Sequence, residues 1–232
     1  MKWQALVAQL FDGQHDIRVE QDFLNGSAQF DGAVLSVVGT TNHAPIGIEM
    51  ALKQARAILD VMTQHPGRAI LLLVDTQGQQ LRRRDELLGI NRAMAHLGCC
   101  VDLARRRGHR VIGLVYDQAL SGGFITSGLI ADACYALPEA EIRVMQIPAM
   151  ARVTKIAESR LTELSLANPV FAPGAQNFVA MGGVQGLWRG DLRICLRESL
   201  ALSPTTDERA RDGAERGGRR LAASVALQVL AA

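Results

Sequence analysis

Two uninterrupted apolar runs constrain this chain more than any other feature: AILLLV at residues 69–74, and VIGLV at the end of the strand expected over residues 110–115. A strand that is apolar at every position must be covered on both faces, as it is where helices pack above and below a parallel sheet. The neighbouring segments supply such helices. Residues 47–65 repeat apolar side chains at Ile48, Leu52, Ala55, Ile58, Leu59 and Met62, a helical period that Pro66-Gly67 ends. A longer helix is expected from Arg82 to about Arg107, with Leu87, Leu88, Ile90, Met94, Leu97, Val101 and Leu103 inside. Arg105 to Arg107 would complete its last turn, where cations suit the dipole, and Gly108 would stop it.

The rest of the chain fits the same class. Asp31-Gly32 between the apolar halves of residues 27–38 reads as a tight hairpin turn with positive φ, so the chain is expected to open with antiparallel strands. Short strands are expected at residues 134–137 and 141–146, and a helix over residues 149–166 stopped by Asn168-Pro169. The result is an α/β chain with a mixed sheet. Its predicted divisions are an N-terminal extension at residues 1–25, one domain at 26–202, and a linker with a C-terminal helix at 203–232. The arginines between Arg209 and Arg220 read as a solvated face.

Lys and Arg total 25 against 23 Asp and Glu, a formal charge of +2, so no overall field draws the chain to nucleic acid or an anionic membrane. No apolar run approaches the ~18 residues needed to span a bilayer, and the N-terminus lacks a signal-peptide pattern. The four cysteines form no CxxC and share no metal-ligand spacing with the five histidines. A cytoplasmic protein with reduced thiols and no metal is expected.

One stretch asks for more than packing. DQALSGGFITSGLIADACYAL, residues 117–137, places Gly122-Gly123 where an apolar strand turns into an apolar helix. Bare backbone there permits close approach of another group, and amides at a helix N-terminus have no partner within the helix. A second bend, Asp75-Thr76-Gln77-Gly78-Gln79, ends the preceding strand. If the two strands are parallel neighbours, both bends open at one sheet edge, and their amides can converge on one oxygen as an oxyanion hole. The same glycines also serve a plain strand-to-helix packing device.

The blocks LLLVDTQGQQLRRRDELLGINRAMAHL and VIGLVYDQALSGGFITSGLIADACYALPEAEIRVM, with GGVQGLW further on, resemble the carboxyltransferase branch of the crotonase superfamily. They are most similar to gamma subunits of biotin-independent malonate decarboxylases. That resemblance implies a crotonase-like fold of repeated strand-strand-helix units with C-terminal helices. It implies a carboxy-lyase subunit active only in complex with a related beta subunit, an acyl carrier subunit and an acyl-carrier-protein transferase (alpha) subunit. No cofactor would be bound by this chain, the malonyl thioester riding on the carrier's phosphoribosyl-dephospho-coenzyme A arm.

In that setting Gly122, Gly123, Gln77 and Gly78 are the expected oxyanion donors, and Ser121, Phe124 and Thr76 the expected substrate contacts. A valine at Gly123 is expected to fold and yet block the oxygen's approach. Clp-like proteases share the fold, but the histidine they place after a methionine is Gln146 here, following Met145, so Ser121 lacks a base. A hydratase would need carboxylates that residues 124–130 do not offer. A biotin-dependent acyl-CoA carboxylase subunit and a non-catalytic subunit completing its partner's site are the alternatives. The five histidines read as structural, and Arg152 and Lys155 as solvated.

Overall fold

The computed structural model describes residues 1–167, 174–201, 206–219 and 221–231. In chain order the elements begin α1 (Trp3–Phe11), β1 (Arg18–Glu20), β2 (Phe23–Phe30), β3 (Ala33–Thr40), β4 (Pro45–Ile46), α2 (Ile48–Gln64), β5 (Ile70–Thr76) and β6 (Gly78–Gln79). They continue α3 (Arg83–Leu87), α4 (Ile90–Arg106), β7 (Val111–Leu120), α5 (Ser121–Phe124), a π turn (Ile125–Leu129), β8 (Ala133–Ala136) and β9 (Glu141–Arg143). The rest is helical apart from β10 (Gly186–Leu187): α6 (Ile147–Thr154), α7 (Glu158–Ala167), α8 (Ala175–Ala180), then α9 (Leu192–Ala201), α10 (Arg209–Glu215) and α11 (Ala222–Ala231). Asn168-Pro169, expected to stop a helix, lies outside the described residues.

The main sheet runs β1-β2-β3-β5-β7-β8-β10, with β9 extending the β7 edge. β1, β2 and β3 are antiparallel, and β2 meets β3 through Asp31 (φ 48°) and Gly32 (φ 79°), the positive dihedrals the hairpin requires. From β3 onward every pairing is parallel, with Ile70 opposite Val111 and Leu73 opposite Leu114.

Both faces of β5 are covered, as its apolar run demands. Leu71 and Leu73 join one core with Ile112, Leu114, Leu6, Leu10 and Phe11; Ile70 and Leu72 join another with Ala55, Ile58, Leu97 and Val101.

The chain does not open with strands. Residues 3–11 form a helix whose Leu6, Val7, Leu10 and Phe11 are buried against the sheet, so the short apolar patch is core. The helix expected from Arg82 is two, broken at Gly89 (φ 80°), and this leaves Leu87 and Leu88 exposed outside the α4 stripe. Leu52 also faces outward, and Gln54 and Val61 take its place on the buried side of α2. The helix expected over residues 149–166 is likewise interrupted, at Lys155 (φ 62°). Arg211, Arg216 and Arg219 are exposed, as a solvated face requires, while Arg209 is half-buried and donates to the carbonyls of Leu129 (2.8 Å) and Ala131 (2.7 Å); Arg216 also reaches back to those of Val179 (3.1 Å) and Val184 (3.2 Å). Arg220 lies outside the described residues. No described helix is long and apolar enough to cross a membrane.

Leu73 lies in the middle of β5 with both neighbouring strands paired beside it. Leu73→Ala is expected to cost about 2–5 kcal/mol, read as a lower urea midpoint at an unchanged m-value.

Candidate functional site

β5 and β7 are parallel neighbours, so the bends that follow them emerge at one rim. A register slip between Val74 and Thr76 loosens the ladder just before the first bend. Gln77 then turns the chain so that Gly78–Gln79 pairs with Pro45–Ile46 as a two-stranded ribbon. The second bend begins at Ser121, whose φ of 47° is unusual for a serine, and continues directly into the short helix and π turn.

The two bends touch. A Cβ built on Gly78 would lie 2.3 Å from Ser121 Oγ and 2.8 Å from the Leu120 carbonyl oxygen, and Gly78 has φ +97°. A Cβ built on Gly123 would lie 2.8 Å from Gly78 C, 2.9 Å from its Cα and 2.9 Å from Ile46 Cγ1. The glycines are therefore the mutual seat of two backbones, and no oxygen fits between the bends. This alters the reading of converging donors.

The Gln77 amide already donates to the His43 carbonyl (3.3 Å) and the Gly78 amide to Thr76 Oγ1 (2.9 Å). Gly122 and Gly123 differ. Their amides stand in the first helical turn, where no intrahelical acceptor exists, and among the described residues no other group accepts from them. Phe124 N is the first amide of this turn that can bond back into the helix.

The side chains expected at a substrate are placed variously. Thr76 is fully buried; its hydroxyl donates to the Ala44 carbonyl (2.6 Å) and accepts from Gly78, so it braces the bend and does not meet solvent. Phe124 is 2% exposed and stacks edge-on to Phe178 at 6.3 Å, a core role. Ser121 Oγ packs on Gly78 and accepts from the Gln79 amide at 3.5 Å, a long bond. No imidazole bonds to this hydroxyl among the described residues, in keeping with its reading as something other than a nucleophile. Gly123→Val would drive its side chain into Gly78, so the expectation of an intact fold fails there. At Gly122 a Cβ meets only Met94 Cε at 3.5 Å and Gln79 Oε1 at 3.8 Å, ordinary contacts.

One group at the same rim escaped sequence reasoning. Asp75, 2% exposed, accepts from the His43 amide (3.0 Å) and the Gln118 amide (3.4 Å). His43 Nε2 stands 3.5 Å from Asp75 Oδ1 and 3.7 Å from Asp117 Oδ2, and the N-terminal ammonium is 3.7 Å from that same oxygen. These ligand-type atoms lie within 4.8 Å of one another, close enough to share a divalent cation and equally apt for an imidazolium between two carboxylates. The three residues are 32 and 42 positions apart along the chain (43, 75 and 117), with no motif to link them; only the apolar strand before Asp75 hints that its carboxylate is buried. The other histidines fill structural places: His109 is buried with Nδ1 2.9 Å from the Arg68 carbonyl oxygen, and His65 ends α2. Arg152 and Lys155 are exposed on α6, which buries no residue.

Comparison with known proteins follows this geometry. A family model described as malonate decarboxylase gamma subunit matches residues 41–232. A relative from Malonomonas rubra, the malonyl-S-ACP:biotin-protein carboxyltransferase MADD, is 32% identical over 78% of this chain and 69% of its own. In the crystal structure of a Pseudomonas malonate decarboxylase MdcD-MdcE hetero-dimer, a chain 26% identical superimposes with a TM-score of 0.75, covering 97% of this chain and 96% of that one. The transcarboxylase 12S core, 20% identical with a TM-score of 0.73 over 87% of this chain and 41% of that one, shares the fold, that of crotonase-like carboxyltransferases.

Burial raises the Asp75 pKa above its ordinary 3.8, with His43 opposing the shift and Asp117 adding to it. A carboxyl that holds its proton more tightly when folded contributes most stability below the unfolded value and loses it as pH rises through the folded one. In a His43→Asn background, where no imidazole titrates, Asp75→Asn is expected to abolish that decline. Identical stability–pH slopes with Asp and Asn would show that residue 75 does not cause it.

Proposed function

The chain belongs to the malonate decarboxylase gamma-subunit family, and from that premise we propose that it supplies the oxyanion donors for decarboxylation of a malonyl thioester. The observation that carries this reading is the pair of amides at Gly122 and Gly123, unpartnered among the described residues, with Gly78 seated against Gly123.

The chemistry matches such a pair. The bond from the carboxyl carbon to Cα breaks, its electron pair moves onto Cα and the thioester oxygen, and carbon dioxide leaves. Negative charge grows on the thioester oxygen as it leaves the carboxylate. Donors aimed at that oxygen bind the transition state more strongly than the substrate, which is the condition for acceleration. The enolate then takes a proton at Cα and becomes the acetyl thioester. The thioester is itself the electron sink, so the reading assigns no metal or organic cofactor to this chain.

In this proposal the Gln77–Gly78 bend is a brace, since its amides are occupied, and Ser121 fixes the turn. One glycine pair makes half a site. A related beta subunit completes it and, with water, provides the proton; an acyl carrier subunit brings the malonyl group on its phosphoribosyl-dephospho-coenzyme A arm; an alpha subunit loads that carrier. The complex would work in the cytoplasm. The MdcD-MdcE pairing of the Pseudomonas protein and the malonyl-S-ACP substrate in the Malonomonas relative's name support these assignments.

That same relative favours a second reading, in which the carboxyl group passes to a biotinyl protein and is not released. Biotin dependence separates the two: if avidin stops turnover of the assembled complex, carboxyl transfer is the reaction.

Gly122→Val keeps the backbone N–H but sets two methyl groups beside it, so it is expected to lower decarboxylation strongly by shielding the amides from the thioester oxygen, in a complex shown by gel filtration to assemble. A near-normal rate removes the glycine pair from the mechanism. The isolated chain is expected to release no carbon dioxide from malonyl thioester until mixed with its beta partner; turnover by the pure chain contradicts the half-site arrangement.

A further inference from the structure

Most cations packed on the sheet are already committed. Arg82 holds Asp85, which caps the N-terminus of α2 through the Ile48 amide, and Arg84 holds Glu49. Arg105 holds Asp132, and Arg209 holds two carbonyls. Arg143 stands apart. Its Nε is buried and has no hydrogen-bond partner among the described residues. One terminal nitrogen meets Glu141, whose carboxylate also accepts from Gln118 Nε2 at 3.4 Å and is therefore shared. A buried guanidinium nitrogen without an acceptor is costly, and each such group in a native protein calls for an explanation, a functional role among them.

Position supplies the second argument. β9 prolongs the sheet at the rim beyond β8, and its last rung pairs Arg143 with Leu120, the residue that enters the Ser121 bend. The strand end that carries Arg143 thus adjoins the residue that leads into the glycine turn, and there its guanidinium has Glu141 on one terminal nitrogen and no acceptor at Nε. A malonyl thioester brings two distinct oxygen groups there, a thioester carbonyl suited to amides and a carboxylate suited to the planar fork of arginine.

We propose that Arg143 recognises the free carboxylate of the malonyl group and so sets the preference of the site for malonyl over acetyl thioester. This rests on the decarboxylase reading above. The carboxylate loses its charge as carbon dioxide forms, so an arginine held to it favours the bound substrate over the transition state. Arg143 accordingly governs affinity and selectivity, while the chemical step belongs to the amides.

The test uses the assembled complex with malonyl-S-N-acetylcysteamine, which has the carboxylate and no phosphate, beside malonyl-CoA. Arg143→Met is expected to raise KM for both thioesters about ten- to a hundredfold, the weight of a hydrogen bond to a charged group, with kcat unchanged or higher. Inhibition by acetyl thioester should stay constant, and Arg143→Lys should fall between. A KM rise confined to malonyl-CoA assigns Arg143 to a phosphate and overturns the proposal, as does an unchanged KM for both. If Arg143→Met does not assemble, Arg143→Lys decides, and a wild-type KM there, or failure of both variants to assemble, marks a structural role and overturns it too. A wild-type complex that does not decarboxylate would defeat the underlying reading instead, so the two failures are distinguishable.

Discussion

The contact on which the site depends is the seating of Gly78 against Ser121 and Gly123. It exists because β5 and β7 run parallel and side by side, delivering two bends to one rim, and because Gly78 and Gly123 carry no side chain where they meet. Every neighbouring hydrogen bond serves that contact. Thr76 closes the first bend on itself and ties it to Ala44, His43 accepts from Gln77, and the β4–β6 ribbon braces it from outside. The consequence is a division of labour between similar-looking glycines: one bend has its amides satisfied and acts as an abutment, and the other keeps two amides open.

Open donors at a protein surface are poor catalysts in water, because solvent competes for them and the dielectric weakens their hold on charge. Gly123 is buried by its own chain, while Gly122 is only partly covered and Ile125 is half exposed just after it. In the proposed decarboxylase a partner surface would exclude water from that side, which is the physical reason for placing half a site in an assembly. The same rim carries the His43, Asp75 and Asp117 cluster and the guanidinium of Arg143, so its charges are close to the glycine turn in the sheet without any being bonded to its amides among the described residues.

Several elements were legible in the residues because local rules are strong there. The Asp31-Gly32 hairpin follows from the positive dihedrals of its turn, the burial of β5 from the absence of any polar residue in residues 69–74, and the end of α4 from Gly108. Legibility fails where distant segments compete for one face. Leu52 and Leu87 fit a helical period and still face solvent, because Gln54 and Val61 take the buried side of α2 and the break at Gly89 puts Leu87 outside the α4 stripe. The N-terminal patch forms a helix because the sheet has an apolar face to receive it, a fact carried by residues a hundred positions away.

The sequence by itself determined the layered α/β class and the two glycine bends, since each follows from side-chain period or backbone permissiveness within a few residues, while the parallel pairing of β5 with β7 was settled by the structure. Tertiary structure alone decided which amides remain open, that Thr76 and Phe124 face inward, that a side chain at Gly123 collides with Gly78, and that Asp75 meets His43. Those outcomes depend on approaches of a few ångströms between segments dozens of residues apart. Composition and periodicity record what a segment can bury, and hold no information on which neighbour will occupy its hydrogen bonds.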